Sequence, residues 1–249
     1  MIRNLILIFA ALYALKSFGN LDYDLRFTSR SYPQGMAFQS DIGYGHKLWG
    51  SGDVMYGYIR PGINFQASGV VNYAAAQLDF YPVSFLGFSV GKTYGNRSFD
   101  KFQGFDCETL SCENSIEKNH LAVNLALGFK NLKLINLFKR QDFENESPNQ
   151  FFAEEFSNLV GFEDDELTTN ITFLAYEFNK NFLLGLFHMY NKMDKTAQRS
   201  RTNLIMANFI SGNFTYQTGI GTFNNRNDID HFSALFIINW KGAKGLRLF

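Results

Sequence analysis

From residue 21 onward the chain repeats apolar and polar positions with a period of two. In 21–28 (LDYDLRFT), Leu21, Tyr23, Leu25 and Phe27 share one face, and Asp22, Asp24 and Arg26 share the other. Successive side chains of a strand point to opposite sides, so this pattern predicts a strand with one apolar face. It recurs through Met36–Tyr44, Ile59–Phe65, Leu121–Phe129, Phe214–Gly221 and His231–Trp240. Segments 69–81, 84–96, 167–179 and 181–191 are also strand-like; 131–140 and 202–211 complete the set. A short helix is expected only near 150–159, inside a loop. Twelve strands of roughly 10–13 residues result, about the length a tilted membrane-crossing strand needs. Ten or fourteen strands are the alternatives.

The connections alternate in length. Turns at 46–53, 81–85, 129–131, 179–181 and 211–213 are short, whereas 97–118, 141–167, 192–201 and 224–230 are long and fall at one end. A barrel in a membrane shows this asymmetry, because its strands close on themselves and leave no unpaired edge in hydrocarbon. A secreted β-sandwich also alternates but does not need it. The expected fold is therefore an all-β, antiparallel, up-and-down transmembrane barrel with N- and C-termini on the periplasmic side.

Residues 1–19 are set apart. Arg3 precedes an apolar run at 5–15 (LILIFAALYAL), and Ser17-Phe18-Gly19 puts small residues before a cleavage point. That is the pattern of a secretory signal peptide, leaving 20–249 as the barrel domain. Composition agrees: 46% of residues are hydrophobic and 17% aromatic, yet mean hydropathy is −0.15. The apolar groups are spaced two apart rather than run together, which excludes a helical membrane bundle. A formal net charge of zero offers no general attraction to nucleic acid. Cys107 and Cys112, enclosing four residues in a polar stretch, predict a disulfide stapling a loop in an oxidising compartment.

Taken together, the alternating strands, the loop asymmetry and the terminal Phe249 resemble the Gram-negative outer-membrane β-barrel proteins. The resemblance spans the mature chain and is architectural. It implies an outer-membrane location among lipid and lipopolysaccharide, and recognition of Phe249 by the barrel-assembly machinery. In the family, alternating apolar residues lead up to the terminal Phe. Here the set Phe236, Ile238, Trp240 stops before Lys241-Gly242.

The inward-facing set includes Asp22, Asp24, Arg26, Asp41, Arg60, Asp79 and Glu177. Mixed charges of this kind either line a solute-selecting constriction or fill the bore with ion pairs. Residues 141–166 carry Asp142, Glu144, Glu146, Glu154, Glu155 and the run Glu163, Asp164, Asp165, Glu166, with no Lys or Arg. Hard oxygen donors suit Ca²⁺ or Mg²⁺, so Glu163–Glu166 are the weak metal candidates. The bland expectation is a solvated acidic loop. His231 and Ser233 share a strand face at i, i+2, which resembles the His-x-Ser pair of two outer-membrane lipid esterase families. Asn239 lies too far along the strand to serve as their third member. No cofactor motif is present. The expected function is a small-solute channel with a mixed-charge lumen. The alternatives are a non-conducting surface barrel whose acidic and stapled loops bind a partner or cations, and an esterase using His231 and Ser233.

Overall fold

A computed structural model describes residues 20–50, 55–98, 103–145 and 150–247. The expected signal peptide, Glu146 and Phe249 lie outside them. Fifteen strands follow in order: β1 Leu21–Arg30, β2 Gly35–Tyr44, β3 His46–Trp49, β4 Gly57–Ala67, β5 Val71–Val83, β6 Leu86–Arg97, β7 Asn114–Phe129, β8 Leu132–Asn145, β9 Phe151–Glu154, β10 Leu159–Phe162, β11 Glu166–Asn179, β12 Phe182–Met193, β13 Arg199–Ser211, β14 Phe214–Asn224 and β15 Asp230–Lys244. All but β9 and β10 form one antiparallel sheet. β2 and β3 are one stave interrupted at Gly45, since both pair with β4. The sheet therefore has twelve staves.

Closure comes from two seams. β1 pairs with β15 from Asp22↔Lys244 to Arg30↔Leu235. β2 pairs with β1 on one side, and on the other with β4 from Phe38↔Ala67 to Gly43↔Gly62. No edge strand is left, which is what hydrocarbon demands of a spanning sheet. The outer face is apolar and exposed at Phe38, Phe65, Val90, Leu121, Leu186 and Ile220. Aromatics gather toward the short-turn end at Trp49, Phe129, Phe178 and Phe214. This is the exterior of a membrane-spanning barrel.

Every expected strand is present, and every long connection sits at one end. Two expectations need correction. The helix near 150–159 is instead the β9–β10 hairpin, paired from Glu154↔Leu159 to Phe151↔Phe162. The acidic segment is not wholly solvated, because Glu154, Glu155 and Asp165 are buried. Tyr81 faces inward and stacks on Tyr58 with ring centroids 4.5 Å apart. The local pattern of 151–162 (FFAEEFSNLVGF) gives no period-two alternation, because the hairpin packs on both faces.

Candidate functional site in the barrel bore

Two charged clusters occupy the bore, one toward each end. At the short-turn end Arg60 projects from β4 between three aspartates supplied by neighbouring staves. Its Nε donates to Asp22 Oδ2 at 2.9 Å, its Nη2 to Asp22 Oδ1 at 2.6 Å and its Nη1 to Asp79 Oδ2 at 3.1 Å. Nη2 also donates to Asp41. Gly43 makes room for the guanidinium: a Cβ there would lie 2.2 Å from Arg60 Cζ. After β15 the chain turns back into the bore. Arg247 then reaches Asp22 Oδ1 at 3.0 Å and Asp24 Oδ2 at 2.9 Å. Tyr56 donates its hydroxyl to the Leu246 carbonyl at 2.6 Å, fixing this tail. A polar cavity of about 160 Å³ remains beside the cluster, lined by Arg60, Asp79, Ser89, Asn124 and Arg247 among others.

At the long-loop end the β9–β10 hairpin crosses the bore. Phe152 and Leu159 are fully buried and pack with Val71, Tyr73, Ile116, Phe143 and Leu167 of the wall. Glu155 accepts the Tyr73 hydroxyl. Lys118 Nζ lies 3.7 Å from Glu154 Oε1 and 3.9 Å from Glu155 Oε1. Arg97 donates to the Ala153 carbonyl at 2.8 Å. On the opposite wall Arg30 donates to the Phe156 carbonyl at 2.8 Å, and Arg226 to the Asn158 carbonyl at 3.3 Å. Glu155 loses its water on burial, which holds its carboxyl above the ordinary glutamate value despite nearby Lys118. The Cys107–Cys112 disulfide forms, with Cα atoms 5.5 Å apart. Its loop backs the hairpin through backbone bonds between Ser111 and both Phe151 and Ala153.

Between the clusters one side of the bore is apolar. Phe173, Leu204 and Met206 are buried there with Phe187 and Leu235 against them. A Cβ on Gly219 would lie 2.8 Å from Met206, so this glycine admits the thioether.

The predicted residues distribute unevenly. Asp22, Asp24, Asp41, Arg60 and Asp79 converge on one cluster. Arg26 faces the bore, but among the described residues no carboxylate pairs with it. Glu177 pairs with Lys133 at 2.9 Å near the short-turn rim and stays apart. The candidate metal residues are each committed to protein groups. Glu163 pairs with Lys195 at 3.6 Å and Glu166 with Arg140. Asp165 accepts backbone N–H groups of Phe162, Glu166 and Lys195. Among the described residues no group of three or more His, Cys, Asp or Glu could hold a metal. His231 and Ser233 do share a face, but they do not meet. Ser233 is fully buried and donates to the Tyr32 carbonyl at 2.8 Å. His231 stacks on the Tyr32 ring and places Nε2 3.0 Å from Asn225 Nδ2. Neither residue is left as a base–nucleophile pair.

Sequence reading missed Arg247, Lys118, Arg97 and Tyr73. Lys118 was findable, because the alternation at 121–129 extends back to it on the inward parity. Arg247 follows the last strand, where no periodicity points inward.

No protein-family model and no curated protein matches the chain. Several solved barrels trace a similar backbone. An outer-membrane channel from Pseudomonas putida F1 shares 13% identity at a TM-score of 0.48, covering 90% of this chain and 96% of its own. The KdgM porin shares 10% at 0.46, covering 88% and 98%. LpxR from Salmonella typhimurium shares 8% at 0.43, covering 88% and 99%. These likenesses concern backbone course alone.

Proposed function

We propose that the protein is an integral outer-membrane β-barrel channel for small solutes that rests closed. In this reading residues 1–19 export the chain, Phe249 addresses it to the assembly machinery, and the long loops face the lipopolysaccharide side. One observation carries the reading. The hairpin that blocks the bore is a separate two-stranded sheet, not a stave of the wall. It can leave without breaking a wall ladder. It is held by the apolar cluster around Phe152 and Leu159, together with ion pairs and hydrogen bonds that water could replace, such as Lys118–Glu154 and Arg30–Phe156. Behind it, the Arg60 cluster supplies a charged constriction of the kind that selects solutes.

Single-channel recording in planar bilayers tests this. Wild-type protein should show low or intermittent conductance, and deletion of 151–162 should give steady open events. A folded deletion variant that never conducts would leave a non-conducting surface barrel. That second reading has one observation in its favour: the Arg247 tail also fills the opposite end of the bore.

A further inference from the structure

The outer face of β8, β11, β12 and β13 carries a polar ladder where an apolar band is expected. Asn136, Thr172, His188 and Asn203 are consecutive cross-strand partners on one row. The row immediately nearer the short-turn end is Leu134, Leu174, Leu186 and Ile205. Parity places the ladder outside, since Thr202 and Leu204, flanking Asn203, are buried toward the bore whereas Ile205 and Leu186 are 56% and 63% exposed.

The ladder lies within the hydrocarbon band. His188 stands six residues above Phe182, the first residue of β12. At about 2.5 Å of height per residue in a strand tilted about 40°, that is about 15 Å up a band about 25 Å tall. Asn136, four residues above Leu132, stands at about 10 Å by the same measure.

These side chains are only partly satisfied by one another. Asn136 Nδ2 donates to Thr172 Oγ1 at 2.9 Å and to Asn170 Oδ1 at 3.2 Å. His188 Nδ1 lies 2.7 Å from Asn203 Oδ1. Among the described residues nothing pairs with His188 Nε2, Asn203 Nδ2 or Asn136 Oδ1. Acyl chains offer no hydrogen bonds, so such groups on a lipid-facing wall are costly unless a protein partner supplies them. The wall at Ile42 on β2 and Ile63 on β4, across the barrel, carries no such row.

We propose that this face is a twofold interface between two copies of the chain in the membrane. A second copy with the same orientation presents the same ladder at the same height. Amides and an imidazole, each donor and acceptor, complement themselves across a twofold axis. Leu174 and Leu186 then pack at the centre of the contact, and the polar row pairs beside them.

Oxidative cross-linking in reconstituted bilayers tests the proposal with two engineered thiols, the native disulfide being left intact. Leu186→Cys should yield a disulfide-linked dimer in most molecules, whereas Val90→Cys on β6, outside the ladder, should yield about a tenth as much or less. Adding Asn136→Leu, His188→Leu and Asn203→Leu to Leu186→Cys should cut the dimer at least tenfold while the heat-dependent gel mobility of a folded barrel is kept. Equal cross-linking at Leu186→Cys and Val90→Cys overturns the proposal, as does an undiminished dimer in the leucine variant. Exclusive cross-linking of Leu186→Cys to a different protein also overturns it. If the leucine variant does not fold, the comparison of the two thiol positions decides alone. Conductance enters none of these readouts, so a failed channel reading and a failed interface remain distinguishable.

Discussion

Arg60 is held by carboxylates from three other staves and is almost wholly buried. Removing it strands Asp22, Asp41 and Asp79 without their common partner, and an uncompensated buried charge is what makes broken pairs expensive. Arg60→Leu should therefore destabilise the barrel by about 3–5 kcal/mol, read as a lower urea midpoint in lipid vesicles by tryptophan fluorescence. Most of this cluster was legible from sequence, because period-two alternation puts Asp22, Asp24, Asp41, Arg60 and Asp79 on one face. What alternation cannot provide is the partner list. Glu177 shares the inward parity yet lies elsewhere along the bore. His231 and Ser233 share a face, yet the Tyr32 carbonyl, some two hundred residues away in sequence, accepts the serine hydroxyl's hydrogen bond.

At the scale of elements, the β9–β10 hairpin is the part whose position is conditional. Burial raises the Glu155 carboxyl above its ordinary value near 4.5. A raised pKa in the docked state means that docking is fully stabilised by this group below pH about 4.5. That contribution is lost as pH rises through the raised value. Channel opening, or proteinase nicking of 151–162, should accordingly increase from acid toward neutral pH. Glu155→Gln should flatten the dependence, and an unchanged pH profile in that variant would refute the assignment. The stapled loop beneath the hairpin makes a second expectation. Closing so short a ring restrains the unfolded loop by about 2 kcal/mol in the chain-entropy account. Cys107→Ser with Cys112→Ser should speed proteolysis within 103–113 and loosen the hairpin while leaving the barrel folded. The hairpin itself was not legible, because a segment packed on both faces carries no alternation. Its acidic composition read as solvated only while its basic partners on β6 and β7 were out of view.

For the whole molecule, the controlling fact is that the solvent outside the wall is hydrocarbon. Val90, on the outer face of β6 four residues above Leu86, is 49% exposed. Val90→Arg should cost about 2–4 kcal/mol of folding stability in vesicles, as expected near the bilayer midplane. A cost near zero would place that wall outside the hydrocarbon. The sequence by itself determined the twelve staves, their inward and outward faces, and the segregation of long connections to one end. These are local properties: alternation is written within each strand, and loop length within each connection. Only the tertiary structure decided which inward charges meet, that a loop hairpin and the chain's last turn enter the bore, and that Asn136, Thr172, His188 and Asn203 align into one row. Each of those depends on strand register and on contacts between residues far apart in the chain. Register is set by the closed sheet as a whole, because sliding one stave alters its alignment with both neighbours.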